Sequence, residues 1–128
     1  MSDKLFKTGI LSDTEIAELF NAKIINASEK LINDQIQPAS LDLRLGRKAW
    51  RVRSSFLPGS KNKVKNKISR LSMHEIDLSK GAVLEKGCVY IAEIMENLDL
   101  PENISASANP KSSTGRLDIF TRLISDNA

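Results

Sequence analysis

The sequence has one cysteine, one histidine, one tryptophan and one tyrosine in 128 residues, and each scarcity removes a class of chemistry. The lone Cys88 cannot close an internal disulfide; in "GCVYIAEI" it takes the place of a small apolar core residue, and burial is its expected state. A single His and a single Cys fall short of a catalytic zinc ligand set, and neither belongs to an H-x-E or P-C-x-x-C pattern, so a protein-bound zinc is excluded on ligand count. A Ser-His-Asp triad would have to use His74 in "SMHEID", and no G-x-S-x-G turn presents a nucleophile; His74 reads as a surface histidine. The phosphate-binding pattern G-x-x-x-x-G-K-[ST] is absent as well. No apolar run reaches the length of a membrane span, and "MSDKLFKTGILSD" mixes acids with bases without the apolar block of a signal peptide, which makes the cytoplasm the expected location.

The last scarcity is local. Between Leu43 and His74 there are ten bases and no acid, which leaves nine bases against all sixteen acids in the rest of the chain. The net charge of +3 therefore hides a positive third and a negative remainder. Such a block suits a polyanion, nucleic acid or a nucleotide triphosphate, and "KNKVKNK" (Lys61 to Lys67) also suits a solvated loop. Only Trp50 and Phe56 lie near enough in sequence to stack on bases, which argues against single-stranded nucleic acid as the partner.

What is present is ordinary for a globular chain: 41% apolar and 27% charged residues, at a length that suits one domain, 1–128, with a single core. Ser12 followed three residues later by Glu15 is a capping-box pattern, and Ile16, Leu19 and Phe20 fall on one helical face behind it. "ASEKLIND" reads as weakly helical or irregular. "SLDLRLG" alternates, Leu41, Leu43 and Leu45 against Ser40, Asp42 and Arg44, predicting a half-buried strand opened by Pro38 and closed by Gly46. Trp50 and Val52 continue the alternation against Arg51 and Arg53 until Pro58 and Gly59, and the basic stretch after them reads as a loop or hairpin. Turns at Gly81 and Gly87 separate two further strands, with Glu93 and Glu96 as surface groups flanking the second; a bend follows at Pro101. "NISASANP" predicts another strand, and "RLDIFTRLISDNA" fits helix and strand equally. Many short strands with one or two helices at the start predict a mainly β fold, closed or sandwiched.

The stretch with most chemistry is "NPKSSTGRLD", Asn109 to Asp118. Pro110 fixes its entry, Ser112 or Ser113 suits a helix cap, and open N–H groups at such a turn face an anion. Lys111 adds a point charge and Arg116 a planar fork. The residue types fit a phosphate cradle and a polar helix start equally.

Two motifs about seventy residues apart, "IQPASLDLRLG" and "ANPKSSTGRLD", with "DLSKGAVLEKGCVYI" between them, resemble dCTP deaminase, a member of the dUTPase-like superfamily. The likeness runs from the first helix to the last residue and is nearest to a long bacterial form with two related copies of the domain, of which this chain matches most of the first. The resemblance implies a distorted jelly roll or β-clip, C-terminally incomplete, in trimers with active sites between subunits. It implies zinc-independent hydrolysis of dCTP to dUTP and ammonia, with magnesium accompanying the triphosphate. Lys111, Ser112 and Ser113 match the family's Arg-Ser-Ser segment at the triphosphate, with Ser112 also near the reacting base; Thr114 and Gly115 complete the segment, and Arg116 matches the arginine that orders the active-site water. Asp42 and Arg44 match a strand whose role is mainly structural.

Lys111 in place of arginine exchanges a bidentate fork for a point charge, and "TG" replaces the commoner "LA". The glutamate that acts as general acid and base in the family lies downstream of residue 128, so the chain by itself is expected to have little or no deaminase activity. The competing readings are a dUTP pyrophosphatase or bifunctional deaminase-pyrophosphatase on the same fold, a catalytically degenerate copy, and a non-enzymatic nucleic-acid-binding module resting on the acid-free block.

Overall fold

The computed structural model describes residues 8–54, 56–57 and 59–124. In chain order the elements are α1 (Asp13–Asn21), β1 (Ile25–Ala27), β2 (Ile36–Gln37), β3 (Ser40–Leu41), β4 (Leu45–Val52), α2 (Val64–Leu71), β5 (Ser72–Asp77), β6 (Val89–Ile94), β7 (Glu96–Leu98) and α3 (Ser112–Gly115). The strands form three small open sheets, β1-β7, β2-β3 and β5-β4-β6. This is the expected mainly β architecture with a short N-terminal helix. Two compact units share it, one running up to Arg47 and resuming over Glu93–Ile104, the other holding Lys48–Ala92 and the residues from Ser105 onward.

In the first unit α1 begins where the capping box places it. The Ser12 amide donates to Glu15 Oε2 at 2.8 Å, and the Glu15 amide donates back to Ser12 Oγ at 3.4 Å, so two helix-end donors are satisfied reciprocally. Ile16 and Leu19 are buried and Phe20 half-buried, and that face packs on β1, β2 and β3. The helix ends at Asn21 with Ala22 as its cap, and Lys23, with φ of 58°, breaks the right-handed run. β1 then pairs antiparallel with β7, Ile25 opposite Leu98. "ASEKLIND" is irregular beyond Ala27.

The "SLDLRLG" strand is not continuous. Only Ser40–Leu41 pairs with Ile36–Gln37, residues 42–44 leave the extended ladder, and a new strand starts at Leu45 and runs through Gly46. Leu43 is 38% and Leu45 58% exposed, whereas Arg44, expected to face outward, is drawn in. Alternation failed here because a buried carboxylate, not a leucine face, organises this backbone.

In the second unit β4 and β5 pair antiparallel from Lys48 opposite Asp77 to Val52 opposite Ser72, with a slip between Arg51 and Val52. That bulge lets Ala49 and Val52, three residues apart, both point inward; Trp50 is half-buried and its indole N–H donates to Glu75 Oε2 at 3.2 Å. The stretch read as a basic loop contains α2. Val64, Ile68 and Leu71 recur at helical spacing and Ile68 is buried, a stripe hidden among the lysines and asparagines. Pro58 lies outside the described residues. The turns at Gly81 and Gly87 have φ of 79° and 76°, the left-handed region glycine tolerates. Cys88 is half-buried, not fully buried, its thiol 3.7 Å from Glu85 Oε2. "NISASANP" forms no strand, and residues 119–124 are neither helix nor strand; residues 125–128 lie outside the described part.

Candidate functional site

The segment Lys111–Arg116 belongs to the second unit, and its residues are all exposed except the half-buried Thr114. The expectation that Ser112 or Ser113 caps the helix is corrected by one position. Lys111 is the N-cap residue, with extended backbone (φ −74°, ψ 133°) and no side-chain capping bond, and Ser112 opens the single turn α3. The Lys111 carbonyl accepts from the Thr114 and Gly115 amides at 3.1 and 3.2 Å. This leaves the Ser112 and Ser113 N–H groups as the orphan donors of the turn, with no acceptor among the described residues. Neither serine hydroxyl has a partner among those residues, nor does the Arg116 guanidinium. Arg116 closes the turn by donating its amide to the Ser112 carbonyl at 3.0 Å. The chain reverses at Asp118, in the left-handed region at φ 60°, where its amide reaches the Gly115 carbonyl at 3.0 Å.

Chemically, six consecutive residues present two N–H donors, three hydroxyls, an ammonium and a guanidinium, with no carboxylate among them. That donor set accepts the oxygens of a phosphate chain. Its lack of acid suits a metal ion poorly, so a magnesium ion would be held by phosphate oxygens rather than by this loop.

Sequence reasoning missed a buried polar cluster. Glu96, expected at the surface, is 4% exposed in the first unit and has every oxygen engaged. Arg44 donates its amide to Glu96 Oε2 at 2.9 Å and its Nε to Oε1 at 2.8 Å. Gln35, 2% exposed, gives Nε2 to Glu96 Oε1 at 2.7 Å and to the Asp42 carbonyl at 3.0 Å. The rest of the Arg44 fork donates to the Lys30 and Glu29 carbonyls at 2.9 and 3.1 Å. Burial pushes the Glu96 carboxyl up, but the Arg44 amide, the Arg44 guanidinium and the Gln35 amide outweigh it and hold the group below its ordinary value of 4.5. The available signal was the arginine of "D-x-R-L-G", set between Leu43 and Leu45. Glu93 is exposed as expected, and so is His74.

The family model described as the 2'-deoxycytidine 5'-triphosphate deaminase (DCD) N-terminal domain matches residues 7–128. A dCTP deaminase of Haemophilus ducreyi is 29% identical over 120 residues, covering 88% of this chain and 62% of its own length. A protein of Coprothermobacter proteolyticus named dCTP deaminase, dUMP-forming, is 34% identical over 113 residues, covering 87% of this chain and 59% of its own length. The crystal structure of 2'-deoxycytidine 5'-triphosphate deaminase from Agrobacterium tumefaciens superposes with a TM-score of 0.89 at 62% identity, over 94% of this chain and 36% of that one. The chain thus spans about three-fifths of the curated relatives it matches and about a third of the solved structure.

Proposed function

The chain belongs to the family of dCTP deaminase N-terminal domains, and on that premise we propose that it supplies the triphosphate-holding loop of an enzyme that converts dCTP and water to dUTP and ammonia without zinc. The observation that carries the proposal is the loop itself: the Ser112 and Ser113 amides and hydroxyls, flanked by Lys111 and Arg116, stand exposed with no partner for the serines or the guanidinium among the described residues. In this reading Lys111, Ser112 and Ser113 bind phosphate oxygens, with Thr114 and Gly115 keeping the turn tight between them. Ser112 also lies at the base undergoing attack, and Arg116 orders the water that adds to C4 of the cytosine. Magnesium arrives chelated by the nucleotide as its charge partner.

The group that moves the proton between water and departing ammonia comes, in this proposal, from residues corresponding to the part of the relatives that the chain does not match. The assembly is a homotrimer that completes each site between subunits, and it works in the cytoplasm; no helix among the described residues is long and apolar enough to cross a membrane.

The test is product analysis. The full gene product, incubated with dCTP and magnesium, is expected to release ammonia and dUTP in equal amounts, and the 128-residue chain to release little of either. Full turnover by the short chain would sink the assignment of the proton shuttle. Release of pyrophosphate with dUMP as the final product would move the protein to the bifunctional reading; three of its relatives are named dUMP-forming.

A further inference from the structure

The acid-free block separates in the structure into two populations of cations. Of those on or beside β4, Arg53 has no carboxylate within 4.0 Å among the described residues and the other four are paired: Arg44 with Glu96 at 2.8 Å, Arg47 with Glu29 at 4.0 Å, Lys48 with Glu75 at 3.1 Å and Arg51 with Glu85 at 3.0 Å. Those on and just before α2 are not. Among the described residues no carboxylate lies within 4.0 Å of Lys61, Lys63, Lys65, Lys67 or Arg70. All but Lys67 are exposed, and Asn62, Asn66, Lys67, Ser69 and Arg70 line a shallow depression of about 410 Å³.

From this we propose that α2 is a binding surface for the phosphodiester backbone of a nucleic-acid duplex, separate from the nucleotide loop. Length favours a polymer over a single nucleotide. Eight helical residues rise about 12 Å, which spans three or four phosphates of one strand at about 3.4 Å each along the axis. The side-chain types are those of backbone contacts, lysine and arginine with asparagine and serine between them. The helix's apolar residues are spent inward: Ile68 is buried and Val64 and Leu71 half-buried, so α2 has no aromatic or aliphatic anchor to insert into a lipid surface or to seat in a protein pocket. The scarcity of aromatics, which argues against stacking on single strands, is no obstacle to a surface that reads only phosphates. The negative remainder of the chain would repel the same polymer and orient its approach to this helix.

The experiment is fluorescence anisotropy with the full gene product and short mixed-sequence DNA and RNA duplexes. Binding is expected with a Kd between roughly 1 and 100 µM and a salt slope of log K near −0.9 for each phosphate neutralised, so about −3 to −4 for four cations. The variant Lys63→Gln/Lys65→Gln/Arg70→Gln should reduce that slope by about three units, while Lys63→Arg/Lys65→Arg keeps it. Thermal unfolding and dCTP turnover of both variants should match the parent, which separates lost contacts from lost fold. Preference of one duplex over the other would identify the polymer. Three results would each overturn the proposal: no duplex binding at about 50 mM salt, a slope unchanged in the neutral variant, or phosphatidylserine vesicles or polyglutamate binding at least as tightly as either duplex.

Discussion

Two polar constellations of similar composition behave in opposite ways. Around Glu96 in the first unit, an arginine, a glutamine and a glutamate are withdrawn from solvent with every buried side-chain donor and acceptor matched. Around Ser112 in the second unit, an arginine, a lysine and two serines stand in solvent, and the serine hydroxyls, their amides and the guanidinium lack partners among the described residues. A satisfied buried network stabilises the fold and has nothing left to offer a ligand. An unsatisfied exposed one contributes little to the fold and keeps its donors for something else. Partner accounting thus separates structure from function where residue type does not, since arginine is central to both.

The contrast can be broken most forcefully at Glu96. Glu96→Ala strips the Arg44 guanidinium and amide of their acceptor, and should cost about 3–5 kcal/mol by chemical denaturation. Glu96→Gln keeps the shape and should cost less. The same group gives an acid dependence. Its folded carboxyl sits below the unfolded value of 4.5, so its contribution is fully present above about 4.5 and is lost as pH falls through the folded value. Denaturation midpoints of the parent should therefore drop on acidification, and those of Glu96→Gln should drop less; equal acid limbs would show that Glu96 is not the group responsible.

On the other side of the comparison, Ser113→Ala should leave the unfolding midpoint unchanged and weaken dCTP binding by about 1.5–3 kcal/mol, the range for a hydrogen bond to a charged group. Calorimetric titration of the full gene product checks this, and a large loss of stability without a change in affinity would reverse the roles assigned to the two constellations. Ser12→Ala removes the α1 cap and should cost about 1 kcal/mol, measured by thermal unfolding. The smallest effect is expected at Lys48→Ala, which breaks an ion pair with Glu75 whose members are both about half exposed; its change should stay within about 0.5 kcal/mol.

What the sequence disclosed follows the range of the interaction involved. The α1 capping box and the turns at Gly81 and Gly87 are settled by residues a few positions apart, and all were legible. The loop Lys111–Arg116 was legible as a site because its donors are contiguous, although its helix starts one residue earlier than a serine cap requires. Leu43 and Leu45 misled because their alternation is overruled by Glu96, a partner 52 positions from Arg44 that no local pattern announces. α2 was hidden for a different reason: its polar face carries lysines and asparagines, the residues of a solvated loop, and only Val64, Ile68 and Leu71 disclose the period.

The first unit is discontinuous, and this sets an order of events on the ribosome. β1 and Arg44 leave the exit tunnel early, but their partners β7 and Glu96 follow only after Lys48–Ala92 has been made. At roughly 5–20 residues per second, an unpaired β1 and an unpaired arginine wait several seconds for the strand and the carboxylate that pair with them. The N-terminal part of the first unit thus completes its pairing late, and a chaperone that attends nascent chains would find Ile25 and Arg44 without their partners until Leu98 and Glu96 arrive.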